Sequence, residues 1–482
     1  MELCSVKVIL VFFFCILAAL PGPAQSPPKA VQTPLRLTLA QAVRRAQRRY
    51  PRVAAALARQ RAGEFAAALA RAQYLPSLGL VSQFDRGTDN SPAGLLFPSA
   101  LPSISGTVAG KYYAWNSVWT SSAGAYFNWE LYDFGRRHSD VAFYQALARQ
   151  AARQAGLARL QAGAHAADAY LSVLAARAGL QVARADVARW HTLDQIVRVL
   201  VHQQLRPGAD ASRTDAELAG ARIRQARALA RLQNVRALLA QAVGSARARL
   251  VLEPDGLLAH ASRALTMAQL RARLAAASHP QARARHAALT ASRFQLQELA
   301  RADRPRAYLL AAAYGRGTGI QNPGQFAAHL NGLWPDSAGN WAVGLGIEYS
   351  LTRHFLIHRR QAVARARIQR AQAQYRQVIQ SLRRARRQAA ADLVAARQLA
   401  LNSPIELRAA QTGEAQARAR YRAGLAGIVD LANAEQLLSQ AQSDDSLSRL
   451  AIWRAELETA YAQGSLRPWL RAVQAQAANG GH

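Results

Sequence analysis

The chain repeats itself once, and the repeat leaves few architectures open. Leu37-Thr38-Leu39-Ala40-Gln41 recurs as Leu265-Thr266-Met267-Ala268-Gln269, Pro51 as Pro280, Pro76 as Pro305, and Arg86-Gly87-Thr88 as Arg316-Gly317-Thr318. Further along, Leu131 matches Leu351, Asp210 matches Asp430 and Gly244 matches Gly464, all 220 residues apart. The constant separation excludes a net insertion over that stretch. The length difference falls between Thr88 and Leu131 on one side and Thr318 and Leu351 on the other, as expected of an exposed loop. A duplicated chain folds as two copies of one plan, so the plan comes first.

Each half opens with a short helical pattern (39–49; 267–278) and a second one (51–74; 280–303) that stops before Pro76 or Pro305. Two extended segments follow, separated by a Gly/Ser/Pro-rich loop. Two long helical stretches close each half, over 136–205 and 211–243 and over 354–423 and 428–463. In the last extended segment Trp341, Val343, Leu345, Ile347, Tyr349 and Leu351 alternate with Ala342, Gly344, Gly346, Glu348 and Ser350. Ala125, Phe127, Trp129 and Leu131 alternate with Tyr126, Asn128 and Glu130 in the first half. Apolar-out, polar-in alternation over about ten residues is the signature of a transmembrane β-strand. A half-buried soluble sheet alternates in the same way. Aromatic residues crowd this region: Tyr112, Tyr113, Trp115, Trp119, Tyr126, Phe127, Trp129, Tyr132 and Phe134 suit a membrane–water girdle. Phe127, Trp129, Val343, Leu345 and Ile347 are the candidate lipid-facing residues. Four strands per chain cannot close a barrel, and an open edge in lipid leaves backbone groups unpaired, so the chain must oligomerise.

The long helical stretches carry a narrow seam. Ile368, Ala371, Tyr375, Val378, Leu382, Ala385 and Ala389 step alternately by three and four, a heptad pattern. A helix of about 70 residues reaches roughly 105 Å, too long for a compact domain. Arg and Gln fill the other faces, which suits a wall wetted on both sides. Pro404 falls inside one such helix, opposite Arg184 of the first half, and is expected to kink or break it.

Residues 8–20, VILVFFFCILAAL, have the length of a secretory h-region, with Lys7 ahead of them and Gly22-Pro23-Ala24 behind. A signal peptide over 1–24 follows, with cleavage after Ala24; the run is short for a spanning helix. Cys15 follows three phenylalanines, which is not a lipoprotein processing site. Cys4 and Cys15 both lie in that segment, so the mature chain has no thiol chemistry and no cysteine zinc site. The net charge of +33 raises nucleic-acid binding. Export argues against it, and so does arginine scattered along helix faces rather than clustered with aromatics.

Leu37-Thr38-Leu39 with Ala42, Tyr74-Leu75-Pro76-Ser77-Leu78, Leu131-Tyr132-Asp133-Phe134-Gly135-Arg136 and Tyr421-Arg422-Ala423-Gly424-Leu425 with Asp430 and Ala434 stand in an order that resembles the TolC-type outer-membrane efflux protein family. The resemblance covers about 35–465. It implies a membrane α+β fold: a transmembrane β-barrel, four strands per protomer, continuous with a long periplasmic α-helical coiled-coil barrel. Residues 25–246 and 247–466 are then the two repeats and 467–482 a C-terminal tail. It implies a homotrimer in outer-membrane lipid, with no enzymatic activity and no cofactor. It also implies a passive exit duct of a tripartite efflux pump or type I secretion system, served by a periplasmic adaptor (membrane fusion protein) and an inner-membrane RND, ABC or MFS transporter. The second reading of the chain is a periplasmic coiled-coil adaptor or scaffold.

The resemblance also places a periplasmic gate at the helical turns, with Asp430, Asn433, Tyr421, Asp210, Gly424 and Leu425 as its candidates. Asp430 matches a position that forms a carboxylate ring in relatives. Asn433 stands where a second acid is common, and Ala426 where well-known members carry a basic linking residue. Tyr421 and Asp210 match positions that link neighbouring helices in the closed state. Helix capping by Asp210 is the plainer explanation, and one residue can do both. Leu205-Arg206-Pro207-Gly208-Ala209-Asp210 raises the expectation that the first turn differs in geometry from the second, and the second strand–helix junction, Leu351-Thr352-Arg353-His354-Phe355, lacks the glycine of the first. His354 and His358 have i,i+4 metal-ligand spacing, but a helix start in water accounts for them. Gly315-Arg316-Gly317-Thr318-Gly319 lacks the ending of a phosphate loop.

Overall fold

The computed structural model describes residues 35–88, 117–245, 250–253, 276–318, 320–322, 325–326 and 339–479. The expected leader, Tyr112, Tyr113, Trp115 and most of the short helix expected over 267–278 lie outside the described residues. The first half contains β1 (Leu35–Leu37), α1 (Leu39–Arg49), α2 (Pro51–Ala72), β2 (Ser77–Thr88), β3 (Ser117–Tyr132), α3 (Arg136–His202) and α4 (Gly208–Ala242). The second contains β4 (Leu250–Leu252), α5 (Pro280–Leu299), β5 (Arg306–Thr318), β6 (Ile320–Asn322), β7 (Gln325–Phe326), β8 (Asn340–Glu348), α6 (Leu351–Arg422), α7 (Ile428–Gln463) and α8 (Arg467–Asn479).

Two helices set the length of the molecule. α3 has 67 residues and α6 has 72, each roughly 100 Å of rise. Each is covered by two shorter helices, α2 and α4 along α3, and α5 and α7 along α6; α3 also meets α5 and α7, which joins the halves. The main core lies where the shorter helices change over: Val43, Tyr170, Leu171, Val173, Leu239, Trp453 and Trp469 are buried there together. Segment 467–482 holds α8, whose Trp469 and Val473 belong to this core, so most of the expected tail is packed structure. β1 and β4 pair in parallel beside it.

The repeat marks explain themselves in this central region. Pro51 and Pro280 each occupy the first turn of a helix, where a missing N–H costs nothing. Gly244 and Gly464 end α4 and α7 with φ of 69° and 87°. A Cβ on Gly244 would meet the Arg49 carbonyl oxygen at 2.8 Å, and one on Gly464 would meet the Pro280 ring at 2.7 Å. Each repeat thus folds its last helix end onto its own first helical corner, and only glycine fits.

Buried residues of α6 recur as Ile357, Ala364, Val378, Leu382, Ala389, Leu393, Ala396, Ser403, Ala410, Glu414 and Tyr421. The steps are sums of threes and fours, as the heptad reading requires. Ala385 is exposed; the stripe drifts past it because an α-helix has 3.6 residues per turn. The expected break at Pro404 is corrected: α6 runs through it from Leu351 to Arg422. Packing against α7 on both sides, through Leu393 and Ala396 with Ile452 and through Ala410 with Leu438 and Ala441, holds the helix together. The hydroxyls of Ser403 and Ser448, 2.7 Å apart, bind it beside the proline. A local cost of about 3 kcal/mol does not outweigh that cover.

The strand-to-helix corners differ between the halves. After β3 the chain turns through Phe134 and Gly135 at φ 52° and 81°. The Asp133 carboxylate accepts from the Gly135 N–H (3.0 Å), the Arg137 N–H (2.7 Å) and the Arg137 Nε–H (2.9 Å). After β8, Ser350 leads directly into α6 from extended φ and ψ of −101° and 107°. No left-handed residue is needed there, which is why the second motif lacks its glycine. Burial works to raise the Asp133 carboxyl, but the Arg137 and Gly135 hydrogen bonds prevail and hold it below its ordinary value. The stabilisation is therefore present above the ordinary carboxylate range and lost as pH falls through the lower folded value. Asp133→Ala should cost about 2–4 kcal/mol at neutral pH, because buried Arg137 loses its nearest partner. In thermal melts followed by circular dichroism, the gap between this variant and the parent should close below about pH 4.

Candidate functional site

The two ends of the molecule carry different chemistry. At one end β2, β3, β5 and β8 form an antiparallel sheet in that order. The register pairs Leu78 with Phe127, Phe127 with Ala311, and Ala311 with Val343. Leu80, Ala125, Ala313 and Trp341 form the next row, and Trp129, Leu309 and Leu345 another. One face of the sheet is therefore apolar across all four strands. Its side chains stand open: Leu80 is 85% exposed, Leu345 78% and Ile347 82%. The opposite face carries Gly79, Tyr126, Asn128, Glu130, Tyr308, Gly344, Gly346 and Glu348. The Tyr126 ring lies over Gly79, 2.3 Å from where a Cβ would stand, so a side chain there would displace the ring. Of the sequence candidates, Phe127, Trp129, Val343, Leu345 and Ile347 all lie on the apolar face; Phe127 is half-buried, and the Trp129 indole N–H donates to the Tyr74 carbonyl oxygen at 3.0 Å. No helix among the described residues is long and apolar enough to cross a membrane.

At the other end the chain turns twice. The two turns share one geometry, against the expectation of a difference. Gly424 is left-handed at φ 76°, and Gln204, 220 residues earlier, at φ 62°. Leu425 N–H donates to the Arg420 carbonyl oxygen at 2.9 Å, and Leu205 N–H to that of Leu200 at 2.9 Å. Both are Schellman closures. Glycine accommodates the left-handed residue in one turn; glutamine bears its strain in the other, about 1–2 kcal/mol.

Between these turns the structure brings Tyr421 and Asp210 together. The buried Tyr421 hydroxyl donates to the Asp210 carboxylate at 3.2 Å. Burial, then the Asp210 charge and its hydrogen bond, push the phenol up to about 12, so it stays protonated and remains a donor. The N-cap residue of α4, Pro207, makes no side-chain capping bond. Arg206, which sequence reasoning did not single out, donates to the Tyr421 carbonyl oxygen at 2.6 Å and lies 4.5 Å over its ring. Asp430 stands apart: it is exposed, and its carboxylate accepts from the Gly427 N–H at 3.3 Å, which caps α7. Gly424, Leu425 and Asn433 are also exposed and join no part of the Tyr421 group.

Above the turns lies a buried ionic knot. Glu435 of α7 is fully buried and accepts from Arg189 of α3 (2.8 Å) and Arg418 of α6 (2.7 Å). Arg418 also meets Glu414 at 2.5 Å; Arg189 and Arg224 of α4 converge on buried Asp186. Burial, then the neighbouring Glu435, raise the Glu414 carboxyl, with Arg418 and Arg189 opposing. All four helices of this end are tied by charge, beside an apolar cluster that includes Trp190, Val197, Leu218, Tyr421 and Leu431. The signal was in the sequence: Glu414 lies seven residues before Tyr421 on the seam, a charge where the heptad calls for an apolar group.

Comparison with known proteins agrees with this arrangement. A search of curated sequences gave no significant match. Solved structures match along nearly the whole fold. The outer-membrane channel OprN superposes with a TM-score of 0.67 at 19% identity, covering 89% of this chain and 90% of that one. The outer membrane protein VceC of Vibrio cholerae gives 0.67 at 19%, covering 89% and 96%. The CmeC outer membrane channel of Campylobacter jejuni gives 0.72 at 12%, covering 88% and 85%. The profile of one family, Outer membrane efflux protein, matches residues 42–245 and 259–464, one stretch for each repeat. With the duplicated plan, the two long helices and the four-stranded sheet in place, the chain belongs to the outer membrane efflux protein family.

Proposed function

We propose that three copies of this chain assemble into a passive exit duct, a twelve-stranded transmembrane barrel continuous with a twelve-helix periplasmic tunnel. The duct receives substrates from an inner-membrane RND, ABC or MFS transporter through a periplasmic adaptor, in a tripartite efflux pump or a type I secretion system. The observation that carries this reading is the sheet. One face is apolar and open across four strands, and its outer strands β2 and β8 each have one strand neighbour among the described residues. In lipid those edges need strands from other copies. A coiled-coil adaptor has no use for such a face. β8, with nine residues, is long enough to span a bilayer core at a tilt. The helical end is then the periplasmic tip, with Tyr421, Asp210 and Arg206 as its latch. Leu205 and Leu425, both exposed at the turn ends, are apolar contacts open to an adaptor.

Cell fractionation and native mass measurement test the assembly: the protein should be recovered as a detergent-stable outer-membrane trimer. Recovery as a soluble periplasmic monomer would refute the duct. Within that assay Leu345→Arg should cost about 2–4 kcal/mol near the bilayer midplane and depress trimer yield. Gly344→Arg should assemble better, since it points the other way and nothing lies within 4 Å of its Cβ position. Equal yields would refute the face assignment.

Planar-bilayer recording tests the latch. Tyr421→Phe with Asp210→Ala removes a hydrogen bond worth about 0.5–1.5 kcal/mol net, and conductance or open time should rise. Unchanged records would make the two residues structural only. Asp430→Ala should leave only a small change in cation preference, since one carboxylate per chain is offset by Arg420 and Arg422 nearby; a large change would show that the ring dominates the pore.

A further inference from the structure

His354 and His358 lie one turn apart at the start of α6, and their Nε2 atoms are 3.1 Å from each other with the rings at 80°. The Nδ1 of His354 sits 3.0 Å from the Asp303 carboxylate, in the corner between α5 and β5. We propose that the two Nε2 atoms bind a divalent transition-metal ion of the nitrogen-preferring class (Zn²⁺, Ni²⁺ or Cu²⁺), with Asp303 as the positioning residue.

The geometry argues for this in three steps. A metal–imidazole bond is about 2.0–2.1 Å, so two nitrogens on one ion stand about 2.9–3.4 Å apart for right-angle to tetrahedral arrangements. The pair already has that separation. Second, Asp303 can only accept, so the proton of His354 sits on Nδ1 and its Nε2 presents a lone pair outward. A carboxylate behind a ligand histidine fixes the ring and strengthens the ligand. Third, two ring nitrogens at 3.1 Å need something positive between them. Without metal it is the Nε2–H of His358; with metal that proton leaves, His358 takes one from water on Nδ1, and both rings stay neutral as ligands.

The site is open. His354 is 48% exposed, which gives an entry path. Among the described residues no group of three or more histidine, cysteine or carboxylate side chains could hold a metal. The ion would thus have two protein ligands and water for the rest, and would exchange readily. Asp303 is bound to the pair through Nδ1 of His354 and faces away from the two Nε2 atoms. A donor set of two imidazole nitrogens disfavours hard ions such as Mg²⁺ or Ca²⁺, which need several oxygens, and suits ions that gain from imidazole itself. The position also has a use. At the matching corner of the first half, Asp133 binds Arg137; the second half has Arg353 and Ile357 at those places and no such clamp. Its hold on the corner is Asp303–His354, and a bound ion would extend that hold along α6 to His358.

Untagged, chelator-treated protein in detergent at pH 7.5, titrated calorimetrically with Ni²⁺, tests the site. The result expected is one saturable ion per chain and a raised melting temperature with the ion. His354→Ala and His358→Ala should each abolish that shift and weaken binding at least tenfold; Asp303→Asn should weaken it about 10–100-fold. Parent-like circular dichroism spectra of the metal-free variants show that they are folded, and each variant's shift is measured from its own metal-free melting temperature. No saturation at one ion per chain, or parent-like binding in either histidine variant, overturns the site. Parent-like binding in Asp303→Asn overturns the role given to Asp303. None of these outcomes depends on the duct reading.

Discussion

Everything in this molecule hangs on two helices long enough that no globular core can surround them. A helix of about 70 residues is stable in water only where a neighbour covers one stripe of it along its whole length. Here that stripe is narrow and largely alanine, leucine and valine, so the partners lie close and flat, and each long helix needs two partners laid end to end. The changeover between those partners holds the largest core. Trp453, Trp469 and Tyr170 are buried there, β1 and β4 pair there, and Gly244 and Gly464 close the helix ends there. The sheet and the turns are what the two ends of these helices can reach.

Much of this was legible in the residues because periodicity and punctuation agree. Thr38 and Gln41 form the capping box that starts α1, with contacts of 3.1 and 3.3 Å; Pro51 and Pro280 start helices, and the alternation at 341–347 fixes which way each strand residue points. The family relation could be read from motif order for the same reason. The misreadings have one source, local rules applied where tertiary cover decides. Pro404 reads as a breaker but is flanked by packed turns of α7. The first turn, without a glycine at 204, reads as different, yet closure of the helix end forces Gln204 into the same left-handed shape.

The site was legible only in part, and the division is physical. Tyr421 and Asp210 stood out by resemblance, and they do meet across 211 residues of sequence. Arg206 did not, because an arginine in an arginine-rich chain carries no signal until its partner is known. The knot around Glu435 was visible only as charge on an apolar stripe. Such charges are costly to bury alone and acceptable when every oxygen is met, as the two arginines on Glu435 do. Ties of this kind hold neighbouring helices in one register, beside the apolar cluster around Trp190 and Tyr421.

The duplication has a last consequence at the turns. The backbones of the two hairpins are copies, but their chemistry has parted: Arg206 and Pro207 in one stand where Ala426 and Gly427 stand in the other. One aspartate is engaged by tyrosine, and its counterpart serves only its own helix end. In the proposed assembly six hairpins would ring the axis, alike in shape and alternating in character. To a partner approaching from below, the rim then has six-fold form but three-fold lettering, and it offers two distinct kinds of groove rather than one.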